Sequence, residues 1–469
     1  MHIRLLVGMS ETPDAGDPDL TPTAFHLLSV FLTVILALVL SDIPISVLVA
    51  LALVILSVTR SFECVTEGGG TVECRLFSKP LSWLVLFAFQ LGKTVELSGL
   101  GRRVSLYLVK YLGSSLLGLG YSIFLSEFVL GPFIPSNTAR GGGIVMPVVM
   151  SMTKVLSSTP STSPATGQFL ILCGSHANLL ISSFFLTATV ANPLIASTAT
   201  ATWGHAAIDF DFVSWFLGAI VPGGIVVVIL PIFFKWVTKA KYNPADVVGQ
   251  IDAQLDALGP LTLAEKQLGF VLVGCLLLWM TGSSTGIPET WVAMTGLVVL
   301  LLLGTVSWDE VVSNSKAWDA FFWLSGMVLM AEQVSSLGIS RFIGQHCARM
   351  LATAEVSPVS ASLLLGLLYF FSMYIFSSIT AHIVAFVGPF MEAAKVLGCP
   401  PYLVTAILAY FSATSACLTN FSSGPPVIYF GQGYITQARW FVIGLAVAGI
   451  SISVFFTVGL AWWKVLGFF

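Results

Sequence analysis

Gly131-Pro132-Phe133-Ile134-Pro135-Ser136-Asn137-Thr138-Ala139-Arg140-Gly141-Gly142-Gly143 is a polar island between two apolar runs, Ser122–Leu130 and Ile144–Met152. Pro132 and Pro135 end a helix arriving from the N-terminal side, because proline lacks an N–H and crowds the preceding turn. The three glycines let the backbone turn tightly. The stretch predicts a helix that enters a bilayer, breaks and returns. Irregular backbone at membrane depth survives only where it is buried in protein or lines a wet cavity. Ser136, Asn137 and Thr138 add side-chain donors beside a helix N-terminus, a combination that attracts anions. The bland alternative is a Ser/Thr patch that hydrogen-bonds neighbouring helices.

The device recurs. Phe376-Ser377-Ser378-Ile379-Thr380-Ala381-His382 lies between the largely apolar runs Ser362–Ile375 and Ile383–Phe390. Ser136-Asn137-Thr138-Ala139-Arg140 aligns with Ser378-Ile379-Thr380-Ala381-His382. Upstream, Gly99-Leu100-Gly101-Arg102 aligns with Gly338-Ile339-Ser340-Arg341 at nearly the same distance from each tip. Two matches in register argue for an internal repeat, and transporters place their sites where such repeats face each other.

The chain has 469 residues, 56% hydrophobic and 9% charged, with a mean hydropathy of +0.93. That composition demands an integral, multi-pass membrane protein. A net charge of −3 and the lack of a Lys/Arg tract argue against nucleic acid as a partner. No H-E-x-x-H motif or Cys/His cluster calls for a metal, and no cofactor is expected. Residues 1–23 form a polar tail whose Glu11, Asp14, Asp17 and Asp19 give the wrong balance for an organelle presequence. A first repeat then spans 24–234 with a re-entrant hairpin at 114–154. A polar linker follows at 235–267, and a second repeat spans 268–469 with a hairpin at 359–395.

About ten spans accompany the hairpins, and interfacial helices are expected at Arg102–Leu112 and Ser340–Leu351. The positive-inside rule puts Arg102, Arg103, Lys110 and the linker on the cytoplasmic side. An odd number of crossings then separates the hairpins, so the repeats are inverted and one hairpin enters from each side. Cys64 and Cys74 bracket a glycine turn that reads as a short β-hairpin on the outside. Its thiols are either bridged or free. Thr187-Ala188-Thr189-Val190-Ala191-Asn192-Pro193 and Thr419-Asn420-Phe421-Ser422-Ser423-Gly424-Pro425 interrupt two further spans.

Ile134–Ile144 and Ser377–His382 resemble the two tip motifs of the divalent anion/sodium symporter family. Thr187–Pro193 and Phe421–Tyr434 resemble the unwound segments of its branch of 2-oxoglutarate/malate translocators and citrate/succinate or tartrate antiporters. The resemblance covers nearly all the chain after residue 24. It implies an all-α elevator-type carrier of di- or tricarboxylates, usually a homodimer. It lies in a plasma or inner membrane, or in a plastid inner envelope if a transit peptide has been removed. Each tip then helps hold the substrate carboxylates. Sodium-coupled members also place sodium at the tips and unwound segments, but Ile379 stands here where the second motif carries an asparagine.

The substrate-binding residues expected on these grounds are Ser136, Asn137, Thr138, Ser378 and Thr380 from the tips. Thr189, Asn192, Ser423, Gly424 and Pro425 join them from the unwound segments. Arg140 and His382 occupy equivalent places beyond the tips, and a fixed cation at membrane depth usually faces a functional site. They are expected to set the site's positive charge where relatives recruit sodium, which favours exchange of dianions without sodium. The alternatives are an ion pair of Arg140 with Glu127 and a neutral, hydrogen-bonded His382.

Two other functions compete. A sodium-coupled dicarboxylate or sulfate symporter differs in requiring sodium. An intramembrane serine hydrolase would use Gly282-Ser283-Ser284-Thr285-Gly286, which matches G-x-S-x-G but sits in a loop between spans. Two unlike re-entrant loops give no ring of equivalent ligands and so argue against a channel.

Overall fold

The computed structural model describes residues 21–41, 43–59, 61, 77–204, 206–241, 247–339, 342 and 356–469. The Cys64–Cys74 loop and nearly all of the interfacial helix expected at 340–351 lie outside these residues. Helices are the regular structure of the described residues, which contain no strands. The principal helices are α1 (Pro22–Leu40), α2 (Ile45–Val58), α3 (Pro80–Ser98), α4 (Leu100–Leu112), α5 (Leu116–Leu130) and α6 (Met146–Val155). Then follow α7 (Pro164–Ser182), α8 (Asn192–Trp203), α9 (Phe212–Thr238), α10 (Val247–Leu258), α11 (Leu263–Met280) and α12 (Glu289–Leu302). The last are α13 (Ser315–Ser336), α14 (Pro358–Ser372), α15 (Ile379–Val396), α16 (Pro401–Thr414), α17 (Gly424–Phe430) and α18 (Gln437–Val465).

Among the described residues, six helical stretches are long and apolar enough to cross a bilayer, and shorter apolar helices such as α2, α5 and α12 accompany them. Burial separates those that face lipid from those that do not. Pro401–Leu418 is 89% buried, whereas Leu263–Met280 is 33% buried. In α7 every residue from Thr166 to Ser182 is buried. These enclosed helices carry Gln168, Ser175, His176, Asn178, Ser412 and Thr414. Polar groups of that kind are tolerated in a membrane protein only where protein surrounds them.

Side-chain caps mark several helix starts. Thr21 Oγ1 accepts the Ala24 N–H, Ser115 Oγ the Gly118 N–H and Ser357 Oγ the Ser360 N–H. Thr262 and Glu265 form a reciprocal cap at α11. Glu265 also receives Arg103 of α4 at 2.7 Å. Arg103 donates as well to the carbonyls of Leu258 and Gly259, and Lys110 pairs with Asp252 of α10. The hydrogen bond to Asp252 raises the Lys110 amine above its ordinary value. Helix α4 is thus clamped to the polar stretch 235–267, on one side of the molecule. Helix α10 occupies the middle of that stretch.

In the first hairpin the chain breaks between Leu130 and Asn137 and then resumes as helix through Val155. The glycines act differently from the tight turn expected of them. Gly141–Gly143 lie inside a π-helical turn, Ala139–Val145, and none has a positive φ. Gly141 is needed because a Cβ there would stand 2.7 Å from Asn178 Nδ2 of α7. In this turn the Gly141 carbonyl accepts the Met146 N–H, and the Tyr429 hydroxyl donates to the same oxygen at 3.2 Å. In the second hairpin α14 ends in a short 3₁₀ turn, Met373–Ile375, and α15 starts at Ile379 under a Ser378 cap. A short 3₁₀ turn follows each of α7 and α16, at Leu186–Ala188 and Ser415–Leu418, before α8 and α17 begin.

Candidate functional site

The two tips and the two unwound segments meet around a cavity of about 190 Å³. Its walls are Pro135, Ser136, Asn137 and Thr138 from the first tip and Ser377, Ser378, Ile379 and Thr380 from the second. Thr189 and Val190 close it from one break, Ser423 and Gly424 from the other. Asn192 and Pro425, expected in the site, do not line it. Asn192 turns its amide inward to the carbonyls of Ser182 and Phe185, at 2.8 and 3.0 Å, and so fastens the break. Pro425 is buried in the first turn of α17, where a missing N–H costs nothing. Ser377 and Ile379, quoted within the tip motif, are lining residues in addition to those expected.

Backbone polarity dominates the walls. The helix from Asn137 to Val155 and helix α15 both begin in the cavity wall, and α17 begins there at Gly424. Each long helix end carries roughly half a positive elementary charge. Ser136 Oγ accepts the Ala139 N–H at 3.2 Å, and Ser378 Oγ accepts the Ala381 N–H at 3.4 Å. Each of these hydroxyls keeps its own proton to donate. Asn137 Nδ2 donates to Ser423 Oγ at 3.0 Å, which ties the first tip to the opposite break. Thr189 Oγ1 accepts the Asn192 N–H at 3.2 Å, again leaving its proton for a ligand. Among the described residues, no ionisable side chain lines the cavity. The arrangement suits a small anion with oxygens at both ends, met by hydroxyls and helix N-termini.

Arg140 and His382 are not in the walls, and the expectation of free positive charge is corrected accordingly. Arg140 is fully buried behind the first tip, and its Nε donates to Glu127 Oε2 at 2.6 Å. Its Nη1 donates to the carbonyls of Ile134 and Ala188 at 2.8 and 3.0 Å, and its Nη2 to Ser182 Oγ at 2.8 Å. The guanidinium thus plugs the junction between tip and break with its charge neutralised. His382 is likewise buried. Its ring stacks on Tyr369 at 4.2 Å, beside Phe376. Ser372 Oγ donates to the Tyr369 carbonyl at 2.7 Å, so it accepts from His382 Nε2 at 2.8 Å. That fixes the proton on Nε2, while Nδ1 has no partner among the described residues. An imidazolium would bury an unmatched N–H, which is costly, so His382 is neutral.

The two plugs share a pattern. Arg140 contacts Glu127 thirteen residues earlier, and His382 contacts Tyr369 thirteen residues earlier. Glu127 Oε2 then meets Asn178 of α7 at 2.9 Å, and the Tyr369 hydroxyl meets Ser412 of α16 at 2.7 Å. The hydrolase candidate has no comparable setting. Ser284 is exposed in a single turn and donates to the Thr281 carbonyl.

The family model for the sodium:sulfate symporter transmembrane region matches residues 9–469. YflS of Bacillus subtilis (strain 168), whose name gives malate transport as its expected activity, is 34% identical over 96% of this chain and 92% of its own. Dicarboxylate transporter 1, chloroplastic, of Spinacia oleracea is 31% identical over 95% of this chain and 77% of its own. An L-tartrate/succinate antiporter of Shigella flexneri is 32% identical over 83% of this chain and 80% of its own. Among solved structures, MtrF of Neisseria gonorrhoeae superimposes with a TM-score of 0.59 at 12% identity. The match covers 92% of this chain and 97% of that one and shows a shared fold.

Proposed function

The chain belongs to the divalent anion/sodium symporter family, and from that premise we propose that it carries small dicarboxylates of the malate, 2-oxoglutarate and succinate type across its membrane, by exchange and without sodium. The reading rests on one observation above all. Two broken tips and two broken helices converge on a cavity rich in hydroxyls and helix N-termini, with no carboxylate to repel an anion. Ser136, Asn137, Thr138, Ser378 and Thr380 bind the two carboxylates from opposite tips, and Thr189, Ser423 and Gly424 close the site. The names of the relatives support the substrate class.

Exchange is supported by what fills the junctions behind the tips. Backbone oxygens at a helix break need donors or a cation. Here Arg140 supplies donors to the Ile134 and Ala188 carbonyls, and His382 supplies one beside the Tyr369 carbonyl. At the first tip sodium therefore does not find the Ile134 and Ala188 carbonyls vacant. The empty cavity keeps its helix N-termini unneutralised, so crossing a low-dielectric barrier favours the dianion-loaded form.

In this reading the two tips with α7, α8, α16 and α17 move as one body against α1–α4 and α11–α13. The halves 24–234 and 268–469 are inverted repeats, and two copies form a dimer. The recurring plug contacts, thirteen residues apart in both hairpins, support the repeat. Sodium-coupled symport is the second reading. It is favoured by Glu127 Oε1, Asn178 Oδ1 and Asn192 Oδ1, buried acceptors without a partner among the described residues. Proteoliposomes separate the two. Exchange requires malate uptake into malate-loaded vesicles, equal in sodium and potassium, and little into empty ones. Strong sodium-driven uptake into empty vesicles rejects it.

A further inference from the structure

A second cavity, of about 150 Å³, adjoins the first and shares Pro135 and Ser136 with it. Its outer wall carries Lys93 and Glu96 from the end of α3, and Asn314 and Lys316 from the start of α13. Resting on the anion-carrier reading, we infer that this cavity is an antechamber in which Lys316 captures the dicarboxylate before it passes Ser136 into the central site.

Lys93 is held by Glu96 at 3.2 Å, so these two charges largely cancel. Lys316 is exposed and has no ion-pair partner among the described residues, which leaves the cavity one net positive charge. The segment that carries it is held in place. Asn314 Nδ2 donates to Gln90 Oε1 at 3.0 Å, and Gln90 Nε2 donates to the Val311 carbonyl at 3.0 Å. Both amides are buried, so the base of α13 is pinned to α3 and Lys316 is presented at a fixed place. A cleft of one charge sign with low-dielectric walls concentrates the opposite ion and speeds its arrival. Such a charge acts on entry and not on crossing, because it lies outside the cavity where the substrate is held. The cavity lies along the end of α3 that leads into α4, the helix that carries Arg102, Arg103 and Lys110, so it serves one face only. The positive-inside rule makes that face cytoplasmic.

The test is Lys316→Gln, with Lys316→Arg as the charge-retaining control, in vesicles of both orientations. Wild-type transport of malate or succinate is the precondition, and its failure refutes the carrier reading itself. Given transport, Lys316→Gln should raise KM roughly three- to tenfold for entry from the α4 face at low salt, with kcat unchanged. The difference should shrink at high salt, and entry from the other face should be unaffected. Lys316→Arg should restore the wild-type KM. An unchanged KM, an equal change from both faces, or a loss in kcat alone overturns the antechamber.

Discussion

Replacing Arg140 with methionine probes the plug behind the first tip. The guanidinium makes four hydrogen bonds, to Glu127, Ile134, Ala188 and Ser182. Without it Glu127 stays buried with only Asn178 Nδ2 as donor, at 2.9 Å. Removing one partner of a buried ion pair costs about 3–5 kcal/mol, most of it from the stranded charge. The substitution also leaves a nest of oxygens: one carboxylate, two carbonyls and one hydroxyl. Sodium favours hard oxygen ligands, and at about one hundred times its Kd it would restore about 2.7 kcal/mol. Thermal unfolding of purified protein in matched sodium and potassium chloride measures both effects. Wild type should unfold at the same temperature in either salt. Arg140→Met should unfold several degrees lower in potassium and regain part of the loss in sodium. Wild type stabilised by sodium as much as the variant, or a variant as stable as wild type, refutes the plug.

Two other outcomes follow from packing. A Cβ at Gly92 of α3 would stand 3.3 Å from the backbone of Phe133 and Ile134 and from the Pro135 ring. Gly92→Val should therefore leave a folded, monodisperse protein whose exchange rate falls by about five- to a hundredfold, because overpacking at a sliding contact adds roughly 1–3 kcal/mol; wild-type rates would show that the first tip does not move past α3. Arg103→Met strands Glu265, whose side chain is 2% exposed, so unfolding should be easier by about 3–5 kcal/mol, and a melting temperature equal to wild type would show that the α4–α11 clamp is not structural.

The breaks were legible because proline, glycine and small polar residues interrupt apolar runs that otherwise carry no such signal. That pointed to Ser136, Thr138, Ser378, Thr380 and Ser423, which line one cavity. Orientation was not legible. Asn192 and Pro425 belong to the same motifs as Thr189 and Gly424, yet one knots the break and the other seeds a helix. Which of neighbouring residues faces the cavity depends on where the chain resumes its helix, and periodicity does not fix that across a break. The Gly141–Gly143 run read as a turn because glycine permits one, but its use here is close approach to Asn178. The Arg140–Glu127 pair spans the two arms of the hairpin, so it became certain only when the arms' register was known.

The central claim is that the cavity between the tips holds a small dianion, and binding tests it most directly. A hydrogen bond to a charged group is worth about 1.5–3 kcal/mol, roughly ten- to a hundredfold in Kd. Calorimetric titration with malate, 2-oxoglutarate and succinate should therefore show binding by the wild type. Ser136→Ala and Thr380→Val should each weaken it by at least about tenfold while leaving the fold intact. Wild-type affinity in both variants would place the substrate elsewhere and contradict the account.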